Sequence, residues 1–209
     1  MEQLPQKGKK RVGCLVIIGI TFLVIIGLIG IFRGVDQFHE VSQKETSVFP
    51  LDESNQLSFH SIQAGFPRQY EKAKNEIQKS AIFNTCNKAR RDFLIKGNYT
   101  VVDWIGTITN IKTDQGGDFA HVEINSNLGG FKVTYMNESL YSIFETTLLK
   151  KGTTIYNQVA ELTVGQKVRF SGRFIPSEDR GVKEISLTEK GCVDAPEFIL
   201  SFDEIRKYR

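Results

Sequence analysis

The residues able to support catalysis or metal binding are few and scattered. Three cysteines (Cys14, Cys86, Cys192) and three histidines (His39, His60, His121) occur in 209 residues. None follows C-x-x-C or H-x-x-x-H spacing, so no metal centre is expected. Asp114 and Asp118 flank Gln-Gly-Gly, but a calcium loop needs more oxygen ligands at alternating positions. That segment reads as a hairpin turn. There is no G-x-S-x-G elbow and no Walker or dinucleotide glycine loop. Ser171 falls within a strand pattern, and a Ser–His pair would have to use His121. His121 alternates with inward positions beside Glu123 and reads as an exposed strand histidine. His39 and His60 lie in a polar stretch and read as solvated. The expectation is no catalytic residue, no metal and no cofactor.

Two groupings remain. Lys167, Arg169 and Arg173 share one face of a strand by their period of two, interrupted by Ser171. They form a possible binding face, or a solvated lattice paired with Glu184, Ser186 and Thr188 on a following strand. Cys86 and Cys192 form a possible disulfide if the chain is exported. The bridge would close a loop of about 105 residues, which the chain-entropy model credits with ~4–5 kcal/mol.

The elements that must position these residues begin with a membrane segment. Val12–Phe32 holds no charged side chain, and at ~1.5 Å per residue it would span roughly 30 Å as a helix. It is too long for the apolar region of a cleaved signal peptide. Lys7, Lys9, Lys10 and Arg11 precede it, which keeps the N-terminus in the cytoplasm and exports the chain beyond residue 33. The net charge of +3 is uneven: residues 1–33 carry five basic side chains and one acidic, leaving 22 against 23 elsewhere. The exported part is therefore close to neutral, which disfavours nucleic acid, whose affinity rests on phosphate neutralisation.

After the basic tip (1–11) and the transmembrane helix (12–32), residues 33–66 read as a linker. Residues 67–98 read as an amphipathic helix opened by Pro67, with Tyr70, Ala73, Ile77 and Ala81 on one stripe and Ile82, Cys86, Ala89 and Phe93 on the next. Residues 99–209 read as an OB-like β-barrel domain. Val101–Ile111 makes a long first strand bent at Gly106, followed by strands around Ala120–Ile124 and Phe131–Tyr135. A break at 138–161 carries a short helix within 138–149. Strands resume over Lys167–Phe174 and Val182–Thr188, with Ile185 and Leu187 inward, and an extra C-terminal strand runs through Phe198–Phe202. The fold class is mainly β with one long helix.

These residues also form motifs: Trp104-Ile105-Gly106; Leu162-x-x-Gly165-x-x-Val168-x-Phe170-Ser171-Gly172-x-Phe174; Glu184-Ile185-Ser186-Leu187-Thr188-x-x-Gly191; and Pro196-Glu197-Phe198. Over about residues 68–208 the chain resembles a largely uncharacterised bacterial family in which a membrane anchor or another N-terminal module precedes a small OB-like domain. The resemblance implies a fold and an exported module, and no activity. The expected function is a single-pass, membrane-anchored, non-enzymatic module binding a protein, peptide or glycan at the cell envelope. The alternatives are a single-stranded nucleic-acid-binding OB-fold protein and, least favoured, a hydrolase with an unrecognised site.

Overall fold

The structure, a computed structural model, describes residues 51–138 and 147–209. The basic tip, the expected transmembrane helix and residues 33–50 of the expected linker lie outside them, as does most of the helix expected within 138–149. Among the described residues no helix is long and apolar enough to cross a membrane. They form a mixed helix-and-sheet structure around a six-stranded sheet. Helices α1 (Glu53–Ala64), α2 (Phe66–Lys72) and α3 (Glu76–Leu94) lead into strands β1 (Thr100–Thr113), β2 (Phe119–Leu128) and β3 (Phe131–Met136). Then come the two-residue β4 (Leu149–Lys150), α4 (Thr154–Ala160) and β5 (Lys167–Phe174). A short hairpin of β6 (Pro176–Ser177) and β7 (Gly181–Val182), α5 (Glu189–Asp194) and β8 (Glu197–Lys207) complete the chain.

The described end of the expected linker is part of the fold. Asp52 caps α1 reciprocally: its carboxylate accepts the Ser54 N–H at 2.9 Å, while Asn55 Oδ1 accepts the Asp52 N–H at 3.1 Å. Such a box satisfies donors that a helix start leaves open. Leu51 lies parallel to Val101, donating to the Thr100 carbonyl and accepting from the Val102 N–H. The stripe that α1 buries is Gln56, Phe59, His60 and Gln63. His60, expected to be solvated, is fully buried. Its Nδ1–H donates to the Phe131 carbonyl at 2.9 Å, and the Tyr135 hydroxyl donates to Nε2 at 3.0 Å.

The expected single helix over 67–98 is two helices and a 3-10 turn (Ile95–Gly97). The chain leaves α2 in extended conformation at Ala73, and Asn75 starts α3 by accepting the Gln78 N–H at 3.0 Å. The break rotates the second helix relative to the first stripe. Ile77 is thereby left 83% exposed, while Cys86, Asn87, Arg90, Phe93 and Leu94 face inward.

β1 serves two neighbours. Thr100–Thr107 pairs antiparallel with β5, and Thr107–Thr113 pairs antiparallel with β2. Gly106 sits at this change of partner, where an added Cβ would fall 2.4 Å from Ile124 Cγ2 and 2.9 Å from the Asn125 carbonyl oxygen. β2 continues antiparallel to β3, β3 runs parallel to β8 over Thr134–Met136, and β8 runs antiparallel to β5. Each of these five strands thus has a strand on both sides. Phe59 reaches the core from α1, its ring 5.4–5.8 Å from those of Phe93, Trp104, Phe174 and Phe198. Val168, Phe170 and Phe174 point inward as expected. The Val182–Thr188 strand does not form: only Gly181–Val182 is strand, and Ile185 and Leu187 are exposed. Beyond Val182 this segment keeps one bridge, Glu184 to Phe198, before Thr188 caps α5 by accepting the Gly191 N–H.

Candidate functional site

A groove of about 580 Å³ opens where β1 and β2 part. Its geometry follows from strand alternation. Ile108 donates to the Gln166 carbonyl and accepts from the Gly165 N–H, so its main-chain groups face away from β2. Ile105 and Thr107, of opposite parity, therefore turn theirs toward the β2 side. Thr107 meets Asn125 there, the last residue of β2 to pair with β1. Ile105 meets the side chain of Gln56: Oε1 accepts the Ile105 N–H and Nε2 donates to the Ile105 carbonyl, both at 2.8 Å. One buried amide from α1 thus stands in for a neighbouring strand. Nε2 also donates to Ser126 Oγ at 3.2 Å, bridging the parted strands.

Side chains of Leu57, Asn127, Lys132 and Lys167 line the opening, beside Glu53. Leu57 is 53% exposed. Among the described residues neither Lys132 nor Lys167 has an ion pair; Lys167 lies over the Tyr208 ring, 4.0 Å from its centroid. Among the described residues the groove offers amides, a half-exposed leucine and two cations, and no nucleophile–base pair.

The three basic residues singled out by their spacing do lie on one face of β5, but the predicted counter-charges are elsewhere. The neighbours of β5 are β1 and β8, so Glu184, Ser186 and Thr188 do not face it. Arg169 pairs with Glu53 and donates to the Asp103 carbonyl at 3.2 Å. Arg173 donates to Asn98 Oδ1 at 3.3 Å. Ser171 accepts the N–H of Asp103, a residue held at φ 58° in a bulge of β1. Of the three, only Lys167 lines the groove.

Glu184 is instead buried against Arg90, Oε2 to Nη1 at 3.3 Å, with both side chains fully inaccessible. Arg90 also donates to Gln63 Oε1 at 2.7 Å, to Asn87 Oδ1 at 3.3 Å and to the Cys192 carbonyl. It thereby ties α1, α3 and α5 together. Burial pushes the Glu184 carboxyl up, outweighing the pull of Arg90. Cys86 and Cys192, a possible disulfide if the chain is exported, are both buried free cysteines beside this pair. Burial raises both, Cys192 to about 11 with Glu184 adding to the rise. Thiols so far from the thiolate form are poor nucleophiles.

His121, expected to be exposed, is 8% exposed. It contacts the Glu138 carbonyl through Nδ1 and Glu123 Oε1 through Nε2, both at 3.1 Å. Burial raises the Glu123 carboxyl, but hydrogen bonds from Asn110 and His121 more than offset this and leave it below its ordinary value. Among the described residues no group of three or more His, Cys, Asp or Glu is placed to hold a metal ion. Gln56, Asn127 and Lys132 belong to no motif, and nothing in their spacing marks them in the sequence. No family model matches the chain, and no curated protein matches it.

Proposed function

We propose that the chain is a non-enzymatic binding module, anchored by residues 12–32 with its N-terminus in the cytoplasm, that holds a protein, peptide or glycan at the cell envelope. The ring of pairings β1–β2–β3–β8–β5–β1, with β3 and β8 parallel, supports reading the sheet as an OB-type barrel. The observation that carries the binding reading is the groove at the parting of β1 and β2. It is concave, polar at a few fixed points and apolar at Leu57, as ligand sites are. The membrane anchor and orientation rest on the uncharged run and its basic flank.

The test is a photoreactive amino acid placed at Asn127 of the full-length chain in its native membrane, with a second placed at exposed Ile77 as control. A discrete adduct from position 127 and none from 77 is the expected result. Equal yields at both positions would remove the groove as a binding site.

A further inference from the structure

We propose that the ligand of the groove is an acidic peptide bound in extended form along β2; this rests on the groove being the binding site. Main-chain parity decides which groups of β2 are open to a ligand. Asn125 turns its N–H and C=O toward β1, because it forms the bonded pair with Thr107. Ser126 and Leu128 therefore turn theirs toward β3, where Leu128 and Phe131 close a two-residue turn at Gly129 and Gly130. Both glycines have positive φ, 60° and 77°, as a tight hairpin requires. Asn127 then directs its N–H and C=O away from β3, into the groove, beyond the last β1–β2 pair. The opposite wall is already closed, since Gln56 takes both main-chain groups of Ile105. Among the described residues one strand edge, carrying one donor and one acceptor, stays open.

Open edges recruit extended chains, with main-chain bonds giving affinity and side-chain pockets giving selectivity. The flanking charges set the selectivity. Lys132 stands across from Asn127 in the β2–β3 register, and Lys167 stands across from Thr107 in the β1–β5 register. Glu53, the acid of the lining, is already paired with Arg169. Among the described residues the groove therefore presents two cations without an ion pair, Lys132 and the Tyr208-stacked Lys167, and a half-exposed Leu57. That combination suits a peptide alternating carboxylates with apolar side chains. A glycan would lack its usual aromatic platform, because among the described residues no aromatic side chain is part of the groove lining.

The experiment uses the full-length chain in detergent micelles and three fluorescent probes: a capped hexapeptide alternating Glu and Val, its Lys–Val counterpart, and an oligogalacturonate of equal charge. The Glu–Val peptide alone should raise anisotropy. Lys132→Glu with Lys167→Glu, both exposed and checked by circular dichroism, should weaken it by about tenfold or more and favour the Lys–Val peptide. Peptide binding should also slow hydrogen exchange at the Asn127 amide, leaving Ser126 and Leu128, already bonded to β3, unchanged. Binding without that protection would overturn the strand-edge mode. Capture of the oligogalacturonate in place of the peptide would overturn the peptide assignment and leave the groove standing as a binding site. Failure of all three probes, with a groove adduct still formed in membranes, would overturn the acidic-peptide assignment alone. Failure of the probes and of the adduct together would overturn both it and the groove.

Discussion

Replacing Gln56 by leucine tests whether residues 51–64 are structural. The side chain is 1% exposed and makes three hydrogen bonds, two to the main chain of Ile105 and one to Ser126. Leucine matches its bulk closely but leaves the Ile105 N–H and C=O without partners. A buried polar group deprived of its partner costs about 1–3 kcal/mol. Both groups border the groove, where water can enter, so the lower part of the range applies and the expected loss is about 2–4 kcal/mol. With a urea m-value of ~2 kcal/mol/M, the midpoint should fall by about 1–2 M. The assay has a built-in reporter. Trp104 is the single tryptophan, fully buried, and its indole N–H donates to the Asp52 carbonyl at the start of α1, at 2.9 Å. Loosening of α1 should shift its emission to the red before the main transition. A midpoint within ~0.3 M of wild type, with unchanged emission, would refute the docking of α1 and restore the tether that the sequence suggests.

The buried ion pair and the buried histidine give two further expectations. Arg90→Met should destabilise by about 3–5 kcal/mol by stranding Glu184, and adding Glu184→Leu should recover part of it; a double variant no more stable than the single one in urea melts would contradict this. Burial holds His60 below its ordinary value of 6.5, so the unfolded chain takes up a proton first as pH falls. The stability this contributes is complete above about pH 6.5 and is lost below it. His60→Gln should therefore narrow its deficit against wild type between pH 7.5 and 5, and parallel stability profiles would contradict the shift.

The strands are legible where burial is apolar and strictly alternating. Val168, Phe170, Gly172 and Phe174 announce β5, and Gly106 announces the crossing of β1, because a side chain there meets the main chain of β2. The pattern fails where burial is polar. Gln56, Phe59, His60 and Gln63 keep helical spacing, but three of the four are hydrophilic, so the stripe reads as solvated linker. Arg90 and Glu184 are hidden for the same reason: each is buried only because the other, 94 residues away, is present. Ile185 and Leu187 mislead in the opposite sense, alternating like strand residues while the chain turns to start α5. The groove leaves no trace in the sequence. It depends on where two strands stop pairing, which is a property of register and not of residue type.

The attachment of Leu51 to the sheet has a mechanical consequence. Leu51 is fixed to the sheet by two main-chain bonds, to Thr100 and Val102, that lie side by side along a parallel segment. A pull directed back along that segment loads both bonds at once, in shear, instead of opening them one by one. Behind them stand the Asp52–Trp104 bond and then Gln56 across the groove. Forced rupture is governed by such barriers and not by equilibrium stability. Under a load applied through Leu51, these two bonds are the clamp that keeps tension from reaching the wall of the groove.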